Sequence, residues 1–225
     1  MKLSPLAKRR INKYDFNDNY LVIVNEWLYQ ITKKKPSNTN KDVIASKWLI
    51  IGRTYAAALE RVQDKDIKIN YNAVAKKIID NKIEQDINAL KTKKNIDENT
   101  ILEVASLHYK LTKIFEKDTK IDKRSLASKY LHFHLPNIVF IYDQRVKTTI
   151  GKFVEGKVNI KDYPKIQEKL QKNKEEIDRE YTYYCLKAFV IYNELKNRNE
   201  FIKGKESLPR YVDTLLLRYS DKNGI

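Results

Sequence analysis

Cysteine is almost absent from this chain. Cys185 stands alone among 225 residues, so no intrachain disulfide can form. That excludes the disulfide-stapled secreted scaffolds and leads us to expect a reducing compartment, the cytosol. With Tyr183, Tyr184 and Leu186 around it, the lone thiol reads as a buried packing residue. Glycine and proline are scarce too, at five each, too few for a turn-rich β fold. No glycine-rich phosphate loop and no Gly-x-Ser-x-Gly element occurs, which disfavours nucleotide hydrolysis and serine-nucleophile chemistry. No apolar run approaches the roughly 18 residues of a membrane span, so no membrane partner is expected. Met1 to Arg10 is basic but lacks an apolar core, so a signal peptide is not expected.

Positive charge is what the chain has in excess. Lys and Arg total 45 against 29 Asp and Glu, a formal net charge of +16. Charge of that size points to a polyanionic partner, nucleic acid first. The richness in Lys, Asn and Ile looks like compositional bias, but bias can exchange Arg for Lys without creating net charge. Hydrophobic residues make up 42% and aromatics 11%, including 15 tyrosines, enough to bury a sizeable core.

Residues 1–17 read as a basic arm around Lys8, Arg9 and Arg10. Residues 18–225 read as one helical domain, divisible into lobes at 18–117 and 118–225. Apolar residues recur at helical spacing over Tyr20–Thr32, Lys41–Gln63, Asn70–Lys93 and Asp97–Lys117. The first carries Val24, Trp27, Leu28 and Ile31, and the second Ile44, Trp48, Ile51 and Tyr55. Further helices are expected over Asp122–Leu135, Arg145–Val154, Tyr163–Asn197 and Ser207–Tyr219. No strong strand and no repeat is evident, so the fold class is all-α. Asn40 and Asp97 are placed to cap helices. Gly52, inside a helix, suggests close approach of a neighbour, with Arg53 and Glu60 forming an ion-paired seam. His108 on an apolar stripe reads as a core histidine. Lys33, Lys34 and Lys35, just before Pro36, suit phosphate contact.

The most informative stretch runs from Ser125 to Val146. On a helix, Ser125, Lys129 and His132 share one face, while Leu126, Tyr130 and Phe133 form an apolar one. Pro136 stops that helix, and Ile138–Tyr142 reads as a buried extended connector. Asp143 then opens the next helix as its N-cap. A desolvated lysine amine is a nucleophile for carbonyl-like carbon, and a fixed carboxylate stabilises positive charge forming on a sugar. The bland alternative makes Lys129 a solubilising surface residue and Asp143 a helix cap only. His132 and His134 point apart on a helix and no other ligands cluster near them, so no metal is expected, nor any cofactor.

This segment resembles the helix-hairpin-helix DNA glycosylases, in particular the branch related to 8-oxoguanine DNA glycosylase. Lys129 matches the catalytic lysine, Pro136 the turn, and Ile141-Tyr142-Asp143-Gln144-Arg145-Val146 the run around the catalytic aspartate. The Gly-x-Gly hairpin of that family is replaced by Asp122-Lys123-Arg124-Ser125, and the lysine–aspartate interval is shorter. The resemblance covers about 25 residues and implies a two-lobed helical fold with a central cleft. It also implies a DNA partner and excision of a flipped base, with lyase activity through a Schiff base. Lys129 and Asp143 would be catalytic, with Ser125, Tyr130, His132 and Tyr142 near the substrate. Lys123, Arg124, Arg145, Lys147 and Lys33–Lys35 would contact phosphates. Two other readings stay open: a non-catalytic basic helical protein that binds nucleic acid, and a helical interaction module of a defence system.

Overall fold

Asn and Asp set where many of the helices begin. Asn40 accepts hydrogen bonds from the backbone N–H groups of Asp42 and Val43, Asn70 from Ala73, Asp97 from Thr100, Asp143 from Arg145 and Asp178 from Tyr181. Each cap satisfies a donor that its own helix leaves open, a contribution of about 1 kcal/mol. The structure, a computed structural model, describes residues 1–12, 22–34, 40–172, 176–198 and 207–222. The described chain begins with strand β1 (Lys2–Leu3) and helices α1 (Pro5–Asn12), α2 (Val22–Lys34), α3 (Lys41–Thr54), α4 (Tyr71–Asp80) and α5 (Ile83–Leu90). It continues through α6 (Glu98–Thr119), α7 (Arg124–His134), α8 (Gln144–Phe153), strand β2 (Val154–Glu155) and a 3-10 turn at Ile160–Asp162. It closes with α9 (Pro164–Lys172), α10 (Arg179–Asn197) and α11 (Leu208–Lys222). The class is all-α. One contiguous hydrophobic cluster draws on both proposed lobes.

Helix α7 lies at the centre. Residues 126–134 are all buried, so the helix has no solvent face, and it packs against α2, α3 and α6. A helix buried on all sides is normally apolar all round. This one carries Ser128, Lys129, His132 and His134, and each polar group needs a partner indoors. The connector 135–143 wraps over it. The Tyr142 backbone N–H donates to Ser128 Oγ at 2.9 Å, and His132 Nδ1–H donates to the Val139 carbonyl at 2.8 Å. Tyr181 and Tyr184 of α10 donate to the carbonyls of Phe140 and Ile141 at 2.8 and 2.6 Å. These bonds fix a strand-like segment that has no sheet partner among the described residues.

The structure revises several element boundaries. The helix expected over 41–63 stops at Thr54, where Ala56 takes a left-handed conformation with φ of 50°. The helix expected over 70–93 is broken by Lys82, also left-handed at φ 56°. The stretch 163–197 divides into α9 and α10, with Asp178 capping the second. The first twelve residues of the basic arm contain a strand and a helix. Lys2–Leu3 pairs antiparallel with Val154–Glu155, and Ala7 and Ile11 of α1 are buried; residues 13–17 lie outside the described residues. Trp27 is 63% exposed, because α2 turns Asn25, Leu28 and Thr32 inward instead. Gly52 does mark a close approach: a Cβ there would lie 3.3 Å from Leu126 Cδ1 of α7. Arg53 and Glu60 form the expected ion pair.

All three histidines are buried. His108 stacks on Tyr181 with ring centroids 3.8 Å apart, and its Nε2–H donates to the Arg124 carbonyl. His134 Nδ1–H donates to the Tyr130 carbonyl at 2.7 Å, and its Nε2 faces Lys47 Nζ at 3.3 Å. Burial pushes His108 down to about 4 and His132 and His134 to about 3. The unfolded chain therefore binds protons that the folded chain refuses. The stabilisation is complete above about pH 6.5 and is lost as pH falls toward 4. Asp213, pushed up to about 6 by burial, works the other way, favouring the fold as it takes a proton. Three sites against one leave about two protons net, roughly 3 kcal/mol per pH unit. The thermal unfolding midpoint is expected to fall by on the order of 10 °C between pH 7 and pH 5. A midpoint that stays level over that range would contradict these protonation states.

Candidate active site

The site is assembled from the last surface of α7, the connector and the first turn of α8. Lys129 is drawn inward, its side chain only 3% exposed, and Asp143 is 22% exposed. Lys129 Nζ donates to Asp143 Oδ2 at 2.8 Å and to Ser125 Oγ at 2.7 Å. It also lies 5.8 Å from the centroid of the Tyr55 ring, whose π-face favours a cation. The bland reading of an exposed Lys129 is thereby excluded. Asp143 is the N-cap of α8, its Oδ1 accepting the Arg145 backbone N–H at 3.1 Å, with Arg145 Nε 3.8 Å from the same oxygen. Burial alone would raise its pKa. The Lys129 charge and hydrogen bond, with the Arg145 N–H and guanidinium, outweigh burial and hold the carboxyl below its ordinary value.

A second buried pair lies behind the first. Arg210 and Asp213 of α11 are 1% and 2% exposed and form an ion pair one turn apart. The Arg210 guanidinium is 5.5 Å from the centroid of the same Tyr55 ring, so two cations share one aromatic ring. The Tyr55 hydroxyl donates to the buried Asn25. Asp213 interacts electrostatically with Lys129 and Asp143 as well as with Arg210, and its Oδ1 has no hydrogen-bond partner among the described residues. Neither Arg210 nor Asp213 was expected at the site. The available signal was two opposite charges at helical spacing, i and i+3, inside the apolar stripe Tyr211, Val212, Leu215, Leu216.

The other expected site residues separate into groups. Ser125 is at the amine. His132 is used entirely inside the core, with its Nδ1 on Val139 and its Nε2 accepting from Tyr29 at 2.8 Å, so it presents no free edge to a pocket. Tyr130 is buried against His134, at 4.4 Å between rings. Tyr142 turns away from the amine and donates to Glu180 at 2.5 Å. Lys123 is not a surface cation. It is buried, and its ammonium caps the carbonyls of Ala58 and Arg61, closing the turn that follows α3. Arg124 is engaged by Asp122, Asp178 and Glu180, and Lys147 by Glu180. Arg145 is exposed at the mouth of the pair, and Lys33 and Lys34 are exposed in the last turn of α2; Lys35 lies outside the described residues. Among the described residues no His, Cys, Asp and Glu cluster could hold a metal ion, and no helix is long and apolar enough to cross a membrane.

Removing one member of a buried ion pair strands the other, at about 3–5 kcal/mol. Asp143→Ala leaves the Lys129 ammonium buried without its carboxylate and is expected to cost that much. Lys129→Met removes the buried charge and keeps the volume. Asp143 then retains Arg145 and partial solvent access, so the loss should stay below about 2 kcal/mol. Urea unfolding of the two variants compares them, and a loss below about 1 kcal/mol in Asp143→Ala would show that the pair is not the stabilising contact. Compared with known proteins, no family model, no curated protein and no solved structure matches the chain.

Proposed function

We propose that this protein excises a base from DNA, with Lys129 as the nucleophile and Asp143 as the charge that steadies the reacting sugar. The observation that carries the reading is the 2.8 Å contact between a buried amine and a capped, ionised carboxylate in a chain of net charge +16. Lys129 Nζ gives up a proton and bonds to C1′ as the glycosidic C1′–N bond breaks. The base leaves with that electron pair and takes up a proton. Asp143 stabilises the positive charge on the sugar while the bond is broken. Opening of the ring at C1′–O4′ then yields a Schiff base between C1′ and Nζ, with the proton going to O4′. Loss of a C2′ proton expels the 3′ phosphate and cleaves the strand. The exposed Arg145, its Nε 3.8 Å from Asp143, supplies a cation for the phosphate beside the reacting sugar.

A second reading is a non-catalytic protein that binds nucleic acid through surface charge, its buried pair serving only to clamp α7 to α8. The 3% exposure of the Lys129 side chain favours it, since C1′ must come within bonding distance of Nζ. Borohydride trapping separates the two. The wild-type protein should form a covalent adduct with an oligonucleotide bearing an abasic site. Lys129→Gln should lose the adduct, and Asp143→Asn should slow its formation at unchanged oligonucleotide affinity. An adduct of full yield in Lys129→Gln would overturn the mechanism. Absence of any adduct, with binding that weakens steeply with salt, would favour the second reading.

A further inference from the structure

We propose that the cleft between α6 and the start of α10 is a nucleotide-binding site separate from the Lys129–Asp143 pair. It goes beyond the excision reading and does not depend on whether Lys129 reacts. The cleft has a volume of about 670 Å³, and neither Lys129 nor Asp143 lines it. That volume falls within the roughly 300–1,000 Å³ of small-ligand sites.

Its walls carry two tyrosines, each with a cation over its ring. Lys113 Nζ lies 5.5 Å from the centroid of Tyr109, and Arg179 Cζ lies 5.6 Å from that of Tyr183. Both tyrosines line the cleft and are partly exposed. The charges in the cleft are unevenly compensated. Glu116 is paired with Lys113, Asp122 and Asp178 with Arg124, and Glu180 with Lys147 and Arg124. Arg179 and Lys187 also line the cleft and have no carboxylate partner among the described residues. The lining carries five cations against four carboxylates, one net positive charge, and Arg179 and Lys187 are the two cations that no described carboxylate holds, so an anion is favoured beside them. Stacking faces beside uncompensated cations suit a base linked to a phosphate: the base lies on tyrosine and the phosphate meets Arg179 or Lys187. An acidic peptide would use the cations but leave the rings idle. Tyr142 and Lys147, which bracket Asp143 in the chain, line the same cleft, so a nucleotide held here lies alongside the first turn of α8.

The ligand can be a free nucleotide or one unit of a strand, and calorimetric titration of the full chain distinguishes them. The probes are adenosine monophosphate, adenosine, inorganic phosphate, a hexamer of deoxyadenylate and hexaglutamate. The monophosphate is expected to bind more tightly than adenosine or phosphate. Tyr183→Ala should weaken it about 10-fold, as loss of one stacking face does. Tyr183→Phe should restore it, which separates stacking from damage to the fold. The double variant Arg179→Ala, Lys187→Ala should reduce affinity for the monophosphate and leave adenosine unchanged. A hexamer tighter than the monophosphate supports a strand as the source, and equal affinities support a free nucleotide. The site is refuted if neither nucleotide binds at millimolar concentration, if phosphate or hexaglutamate binds as tightly as the monophosphate, or if the substitutions leave binding intact. None of these readouts involves a Schiff base, so this site and the Lys129 mechanism can fail independently.

Discussion

The structure depends on one constraint: a polar helix with no solvent face. Helix α7 brings a hydroxyl, an ammonium and two imidazoles into the centre of the hydrophobic cluster. An unpaired polar group there costs about 1–3 kcal/mol, and an unpaired charge more. The connector meets this demand. Its backbone supplies acceptors to Ser128 and His132, and its last residue supplies the carboxylate for Lys129. Asp143 therefore owes its position to the needs of α7 as much as to the cap of α8. The same network rigidifies the arrangement, since one bond cannot be lost without orphaning its partner.

Two carboxylates share the electrostatic neighbourhood of Lys129, and their surroundings push them apart. Asp143 has a direct ammonium, a backbone donor and some solvent access, and stays ionised. Asp213 is shut in against the Arg210 guanidinium, and burial raises it to about 6. The Tyr55 ring beneath both cations lowers the penalty of holding Lys129 and Arg210 close together.

Local chemistry was legible in the sequence. Asn40, Asp97 and Asp143 cap the helices they were expected to cap, because capping involves only neighbouring residues. Trp48, His108 and Cys185 are buried as their apolar surroundings implied. The break at Lys82 also has a trace: the step of five from Ile78 to Ile83 does not fit one continuous helix. The stop after Thr54 left no such mark, since the apolar spacing runs on without fault. The turn beyond it is closed by Lys123, distant in sequence, reaching the carbonyls of Ala58 and Arg61. Lys123 itself looked like a phosphate contact for the same reason: charge shows in a sequence, and burial does not. The Lys129–Asp143 contact was inferable because a turn of known length joins the two elements. Arg210 and Asp213 come to the site from the far end of the chain, by packing that no local pattern records.

Helix α8 acts as a short lever. Its first turn presents Asp143, and its other end is clasped by Ser4, whose N–H and hydroxyl donate to the carbonyls of Phe153 and Lys152 at 2.8 and 2.9 Å. The two ends are about 15 Å apart, at 1.5 Å per residue. The aim of the carboxylate is thus mechanically tied to the β1–β2 clasp. Clipping residues 2–4, or fusing a bulky partner there, reaches the amine of Lys129 without touching it.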